Sequence, residues 1–460
     1  MSPLFIAALL LVAWEAAVRR GPFGGLRFKL PRVPARFVMP AAIVLLVAFA
    51  AQLGLLDYQA SHDGWRPAWF SAAPYHLNAD VLGVGPAHRL ISFAALFLSL
   101  LQTIALIALI AGASEAPPKS IARRLPFFTA AGLALLALAS PAVSSSDVFG
   151  YVGLGMMGSE AYVRHAGFFH GEYARLFDAF PVRPTIYGPL WVGINALVVM
   201  LGSTFAAKVL ALRIFGVVLI AAMFVLARAL GAGRATQWAI ALNPMLWFQF
   251  VTNAHNDAMA IVVMLGAVLA VARRRPWIAV ALIAAAGLIK FPFLIIGMIV
   301  FVRGSTRSAA IAYGAAAVAL CIALSAAFGG HPYLDALLAT ARHGSSFWRP
   351  EISIAKAIVA VVALGATAAM LLSGRISGFS GWLYTGLAPV LFPWYLAWMV
   401  VYCAAIGAGV LETLLALPVL ATLADGVFAL DDISLLIALA VSVFVVLAAR
   451  RRRSGLLLPA

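Results

Sequence analysis

Long apolar runs divided by short basic clusters constrain this chain more than any other feature. Residues 37–56, 90–112, 209–226, 309–328 and 433–449 are almost wholly apolar. At about 1.5 Å per helical residue, such runs cross a hydrocarbon layer of roughly 30 Å. Lipid offers no partner for a free backbone N–H or C=O, so uninterrupted runs of this kind satisfy their backbone only as helices. With 64% hydrophobic and 10% charged residues, the chain is too apolar for a water-soluble domain, which runs nearer half apolar and a quarter charged. The expected fold is an all-α, polytopic transmembrane bundle of about 13–15 membrane helices with amphipathic helices on its outer face. Residues 1–460 read as one domain, because no Ser-, Gly- or charge-rich linker and no evident repeat divides them.

A formal charge of +16 would point to nucleic acid in a soluble protein, but the basic residues here sit in clusters between apolar runs. The clusters are 19–36, 119–124, Arg228 with Arg234, 273–275, Arg303 with Arg307, Arg375, and 450–453. They are topology signals, and the positive-inside rule puts all of them, with the C-terminus, on the cytoplasmic side. Segments 57–88, 144–203 and 329–351 then face outward. They hold much of the remaining polar chemistry, including His62, Trp65, His165, His170, Glu172, His331 and Trp348. In run 3–18 the positive charges follow the apolar stretch, the reverse of a secretory signal, so a retained helix with an outside N-terminus is expected. Cys321 and Cys403 both lie inside apolar runs, which leaves neither a disulfide framework nor a zinc-ligand spacing.

Two segments need a special path. A crossing at 187–201 would invert every later helix, so this stretch is expected to lie in or dip into the outer interface. Residues 276–302 are expected to form two short helices turning at Lys290, Phe291 and Pro292, each too short to cross alone. A similar turn is expected at Phe392, Pro393, Trp394 and Tyr395.

The chemistry-bearing candidates follow from this layout. Asp147, in Ser144-Ser145-Ser146-Asp147-Val148, stands at an outer helix mouth, where a carboxylate can serve as general base toward a hydroxyl or simply cap the next helix. Asn253-Ala254-His255-Asn256-Asp257 interrupts two apolar runs; capping by Asn256 or Asp257 explains one polar residue, and ligand contact explains the group. His255 with Asp257 supplies only two ligands for a metal. Lys290 is the lone lysine in a long apolar stretch, and no carboxylate lies near it in sequence. Either it snorkels or it meets an anion brought by the fold or by a ligand phosphate. Arg342, His343 and Arg349 are either further phosphate contacts or solvated loop charges. Tyr187-Gly188-Pro189-Leu190 opens the interfacial helix with proline near its first turn. Glu15 and Glu412 fit ordinary helix pairing.

Taken in order, Ser146-Asp147-Val148-Phe149-Gly150-Tyr151, Tyr187-Gly188-Pro189-Leu190, Asn243-Pro244, Ala254-His255-Asn256-Asp257-Ala258, Gly287-Leu288-Ile289-Lys290-Phe291-Pro292 and Pro393-Trp394-Tyr395 resemble the GT-C superfamily of polyprenyl-phosphate-sugar-dependent glycosyltransferases. The similarity is greatest to the actinobacterial polyprenol-phosphomannose-dependent mannosyltransferases and the glycosyltransferase-87 family, and covers mainly residues 144–294. The Asn-Pro-Tyr common in that family is replaced by Glu160-Ala161-Tyr162.

The resemblance implies inverting transfer of a hexose, mannose first, from a polyprenyl-phosphate donor to a glycan or glycolipid on the outer face of a bacterial inner membrane. It implies Asp147 as base and Lys290 with His255 near the donor phosphate. Tyr151, Tyr187, Asn256, Asp257, Arg342, His343, Trp394 and Tyr395 complete the expected substrate contacts. No bound cofactor is required; a divalent cation is the one inorganic partner left open. A lipid-linked sugar flippase, a secondary transporter or a glycan ligase would share the same polytopic pattern.

Overall fold

The computed structural model describes residues 30–61, 86–140, 147–163, 185–343, 396–406 and 410–426. The expected helices at 3–18 and 433–449, the His165 to Asp178 part of the second outer segment, and the turn with Trp394 and Tyr395 lie outside them. Every regular element among the described residues is helical.

Helix α1 (Val38–Ser61), after the 3-10 turn Ala35–Phe37, pairs along its length with α2 (Pro86–Glu115), and α3 (Ile121–Ala139) packs on both. Next come α4 (Asp147–Met157), the 3-10 turn Gly158–Tyr162 and α5 (Pro189–Met200). Helix α6 (Phe205–Ala229) is capped at its start by Thr204, whose Oγ1 accepts from Ala207 N at 3.2 Å; α7 (Arg234–Ala241) follows. The short α8 (Pro244–Trp247), capped by the Asn243 side chain, runs into a π-helical turn, Phe248–Thr252. Helices α9 (Asp257–Ala272), α10 (Pro276–Ile289), α11 (Pro292–Gly304) and α12 (Arg307–His343) follow, and then α13 (Trp398–Ile406) and α14 (Val410–Gly426). Helix α9 sits centrally, against α6, α10, α11 and α13.

Among the described residues, five helices are long and apolar enough to cross a membrane: Ala35–Leu56, Phe93–Glu115, Ile121–Ala139, Phe205–Ala229 and Arg307–Leu337. The apolar runs 37–56, 209–226 and 309–328 fall within them, and 90–112 overlaps Phe93–Glu115. A sixth crossing is available if Pro244–Thr252 and Asp257–Ala272, bent by 117°, count as one interrupted span. The larger total expected from sequence draws on segments outside the described residues. Phe97, Leu135, Val218, Val225 and Phe328 are exposed on the spanning helices, apolar surface that only lipid would cover. The chain is an integral membrane protein.

The expected break at Lys290 is present: Lys290 is extended (φ −152°, ψ 113°) between α10 and α11, which have 14 and 13 residues. The stretch expected in the outer interface forms the 12-residue α5, about 18 Å long and too short to span alone. One expectation is corrected. Residues 329–343 are not an open loop; α12 continues through them after a kink at Gly330 (φ 60°, ψ −165°), where Tyr333 packs on Tyr162 with ring centroids 5.2 Å apart.

Close backbone approach fixes the crossings around the centre. A Cβ at Gly216 of α6 would overlap the Phe250 carbonyl oxygen, and one at Gly188 would overlap that of Leu288. Membrane helices lack a hydrophobic drive toward one another, so such small-residue contacts let packing and polar groups hold them. Gly216→Ala should therefore destabilise the protein by about 1–3 kcal/mol through overpacking. Gly193→Ala, whose Cβ meets nothing within 4 Å, should gain about 0.5–1 kcal/mol from helix propensity. Unfolding of both variants in detergent checks the contrast.

Candidate active site

The bend between α8 and α9 brings the polar residues together. The π-helical turn ends with Asn253 N donating to Phe248 O at 3.0 Å, and the chain reverses through Ala254, held at φ 52°. A left-handed alanine is costly and persists only where its surroundings dictate it, which is common at functional sites. His255, Asn256 and Asp257 follow, each no more than 1% exposed. Asn256 occupies the cap position of α9 without a side-chain cap bond, so capping does not account for its side chain. Its Oδ1 lies 3.4 Å from the Tyr151 hydroxyl, which is also 3.3 Å from that of Tyr187.

Two acid–base pairs flank this turn. Asp147, the first residue of α4, places Oδ2 3.2 Å from His255 Nδ1; its carboxylate side chain keeps 24% of its exposure while the imidazole is fully buried. Asp257, fully buried, accepts from Lys290 Nζ at 2.8 and 3.0 Å and from Trp398 Nε1 at 2.7 Å. The anion for Lys290 thus comes from the fold, two elements away in sequence. The ammonium lies 6.0 Å from the Tyr187 ring centre and 5.8 Å from that of Trp398. Gly188 N donates to Ile289 O at 3.3 Å and Tyr162 hydroxyl donates to Tyr187 O at 2.9 Å, which locks the Tyr187 segment against the Lys290 turn.

Tyr151 is the hub of the cluster. Its ring meets Tyr187 and Trp191 edge-on at 5.5 and 5.1 Å, and its carbonyl accepts from Asn195 Nδ2 at 2.7 Å. Burial, with added repulsion from Tyr187, Asp147 and Asp257, holds its phenol well above the usual range. Tyr151 is therefore a fixed neutral donor and not a base.

The structure unites Asp147, Tyr151, Tyr187, His255, Asn256, Asp257 and Lys290. Arg342 and His343 end α12, and their side chains lie outside the described residues, as do Trp394 and Tyr395 altogether. Among the described residues no three His, Cys, Asp or Glu side chains converge on a point. With Asp257 committed to Lys290, Asp147 and His255 are the two ligand-type side chains left at this turn among the described residues, fewer than a resident divalent cation takes.

Two residues escaped the sequence reading. Trp398 lies just past the Pro393-Trp394-Tyr395 motif, yet it completes the shell of Asp257. Arg213, 4% exposed within α6, donates to Leu138 O (3.1 Å), Ser140 O (2.5 Å) and Thr252 O (3.1 Å). It ties the end of α3, which leads to Asp147, to the turn that carries His255. An arginine nine residues into a spanning helix, away from both its ends, is a signal that sequence alone offers.

With this geometry in view, comparison with known families is decisive: the model of the alpha-(1->6)-mannopyranosyltransferase N-terminal domain matches residues 40–305. The chain belongs to this mannosyltransferase family. No curated protein and no solved structure gives a significant match. The matched span of the mannosyltransferase contains both acid–base pairs but stops before Trp398, so α13 adds its indole to the Asp257 shell from outside the family segment. The chain is accordingly a membrane glycosyltransferase of a mannosyltransferase family.

Removing one member of a buried ion pair strands the other, at a cost of about 3–5 kcal/mol. Asp257→Asn and Lys290→Met should each lower unfolding stability by about that amount. The double variant should lose clearly less than the sum, as a double-mutant cycle in detergent would read. Additive losses would show that the two groups do not depend on each other.

Proposed function

We propose that the mannosyltransferase uses a polyprenyl-phosphate mannose donor and transfers the sugar, with inversion, to a glycan or glycolipid hydroxyl at the outer membrane face. The observation that carries this is the Asp147–His255 pair: a partly exposed carboxylate 3.2 Å from a fully buried imidazole. A base must be open to its substrate, and a buried partner fixes which way it faces.

In the proposed step the acceptor oxygen attacks the anomeric carbon while the bond from that carbon to the phosphate oxygen breaks. Asp147 takes the acceptor proton, and polyprenyl phosphate leaves with the bonding pair. Charge on the leaving phosphate develops near Lys290, whose position is set by Asp257 and Trp398; because Asp257 already balances it, Lys290 acts as a placed hydrogen-bond donor more than as a bare cation. Tyr187, Tyr151, His255 and Asn256 line the same turn as substrate contacts, with Arg342, His343, Trp394 and Tyr395 as outer contributors.

The membrane side is proposed on charge. Arg123 and Arg124 open α3, Arg273, Arg274 and Arg275 follow α9, and Arg307 opens α12. In each helix these are the ends away from the Asp147 turn, which the positive-inside rule turns outward. The family assignment favours transfer over a flippase.

Asp147→Asn, purified and as stable as the wild type, should lower mannose transfer from a labelled polyprenyl-phosphate donor by about 10²–10⁴-fold, the usual worth of a general base. A folded variant with full activity would remove Asp147 from that role. Sidedness is checked separately. Cys321 and Cys403 are both buried, so Glu160→Cys should react with an impermeant maleimide on intact cells, and Ser308→Cys only after permeabilisation. The reverse pattern would invert the topology.

A further inference from the structure

A polar hollow lies at the basic end of the bundle, away from the proposed transfer site. The 14 residues of α10 separate it from the Lys290 turn by about 21 Å. The hollow measures about 520 Å³ and is lined by Arg274, Ser305, Thr306 and Tyr313 over Val271 and Pro276.

Its cation is unusual in two respects. Arg274 stands at φ 57° in a helix-ending turn where Arg275 N donates to Ala270 O at 2.8 Å and Arg274 N to Val271 O at 2.9 Å. Glycine or asparagine ordinarily fills that position, so the turn itself does not call for arginine. Among the described residues, moreover, none pairs with the Arg274 guanidinium. Helices α9 to α12 contain two carboxylates, Asp257 and Asp335. Asp257 opens α9 at the far end and Asp335 lies beyond the Gly330 kink. The lining therefore offers a guanidinium and three hydroxyls with no acid from these helices, a donor set for an anion.

Its rim separates a lipid from a soluble anion. Trp277 is 65% exposed and meets Tyr313 edge-on at 5.2 Å, and Ile278 beside it is 53% exposed. Aromatic rings with apolar neighbours at a helix end belong at headgroup depth. A phosphate alone would satisfy the hollow but leave that rim without a function.

We propose that this hollow binds the phosphodiester headgroup of an anionic phospholipid. Arg274 pairs with the phosphate, the Ser305 and Thr306 hydroxyls donate to its oxygens, and Trp277 lies against the glycerol–acyl boundary. Basic pockets between membrane helices hold such headgroups. The site is independent of the transfer chemistry.

The test uses the purified, delipidated full chain, with thermal unfolding and tryptophan fluorescence as readouts. The probes are dioctanoyl phosphatidylglycerol, dioctanoyl phosphatidylcholine and inorganic phosphate. Phosphatidylglycerol should bind saturably and raise the unfolding temperature, with phosphatidylcholine weaker. Arg274→Gly suits the positive φ and keeps the turn, yet should bind phosphatidylglycerol about tenfold more weakly, the worth of one charge-assisted contact. Asp147→Asn should bind it as the wild type does, whatever its transfer activity. Equal binding by Arg274→Gly and wild type would overturn the proposal. So would protection by inorganic phosphate matching that of the lipid, which would make the ligand a free phosphate.

Discussion

The buried pairing of Asp257 with Lys290 is the constraint around which the rest of the site is arranged. A carboxylate with no exposure is untenable alone, and so is an ammonium in a run of Ile, Leu and Phe. Each removes the other's cost, but only if α9 begins where α10 ends. That requirement explains the broken helices on both sides: the π-helical turn and left-handed Ala254 before Asp257, and the extended Lys290 between two short helices. Breaks in membrane helices survive only where protein lines them. Here Trp398 and the docked Tyr187 segment do so.

Beside this anchor, a second set of contacts joins α3 to the same turn. Arg213 gathers the carbonyls of Leu138, Ser140 and Thr252, joining the helix before Asp147 to the turn before His255. Thr252 Oγ1 adds a bond to Ala137 O at 3.0 Å. The end of α3 and the turn that carries His255 are thus held together by a clamp of hydrogen bonds to backbone. In a low-dielectric setting such satisfied polar networks specify one arrangement.

The two ends of the bundle divide the polar chemistry. One end holds carboxylates, a histidine and aromatic hydroxyls around broken helices. The other holds arginines at intact helix ends, where positive charge also complements the helix dipole at the close of α9. A lipid-linked donor can approach the first end sideways from the bilayer while a polar acceptor comes from water. Lipid headgroups at the second end would meet a matching surface.

Much of this was legible in the residues themselves. Apolar run length settles that the chain spans membranes, because no other solvent accepts such surface. Proline and lysine within the 276–302 run mark a break, because one lacks an N–H and the other needs an anion. Polar density at 253–257 marks a site for the same energetic reason, and family likeness points to mannosyl transfer. Sequence could not supply partners across distance. That Asp257 rather than a ligand answers Lys290, that Asn256 turns to Tyr151 instead of capping α9, that residues 329–343 stay helical, and that Trp398 and Arg213 belong to the site were decided only by tertiary packing. Charge pairing and hydrogen bonding act through space, between segments whose separation along the chain carries no record of their contact.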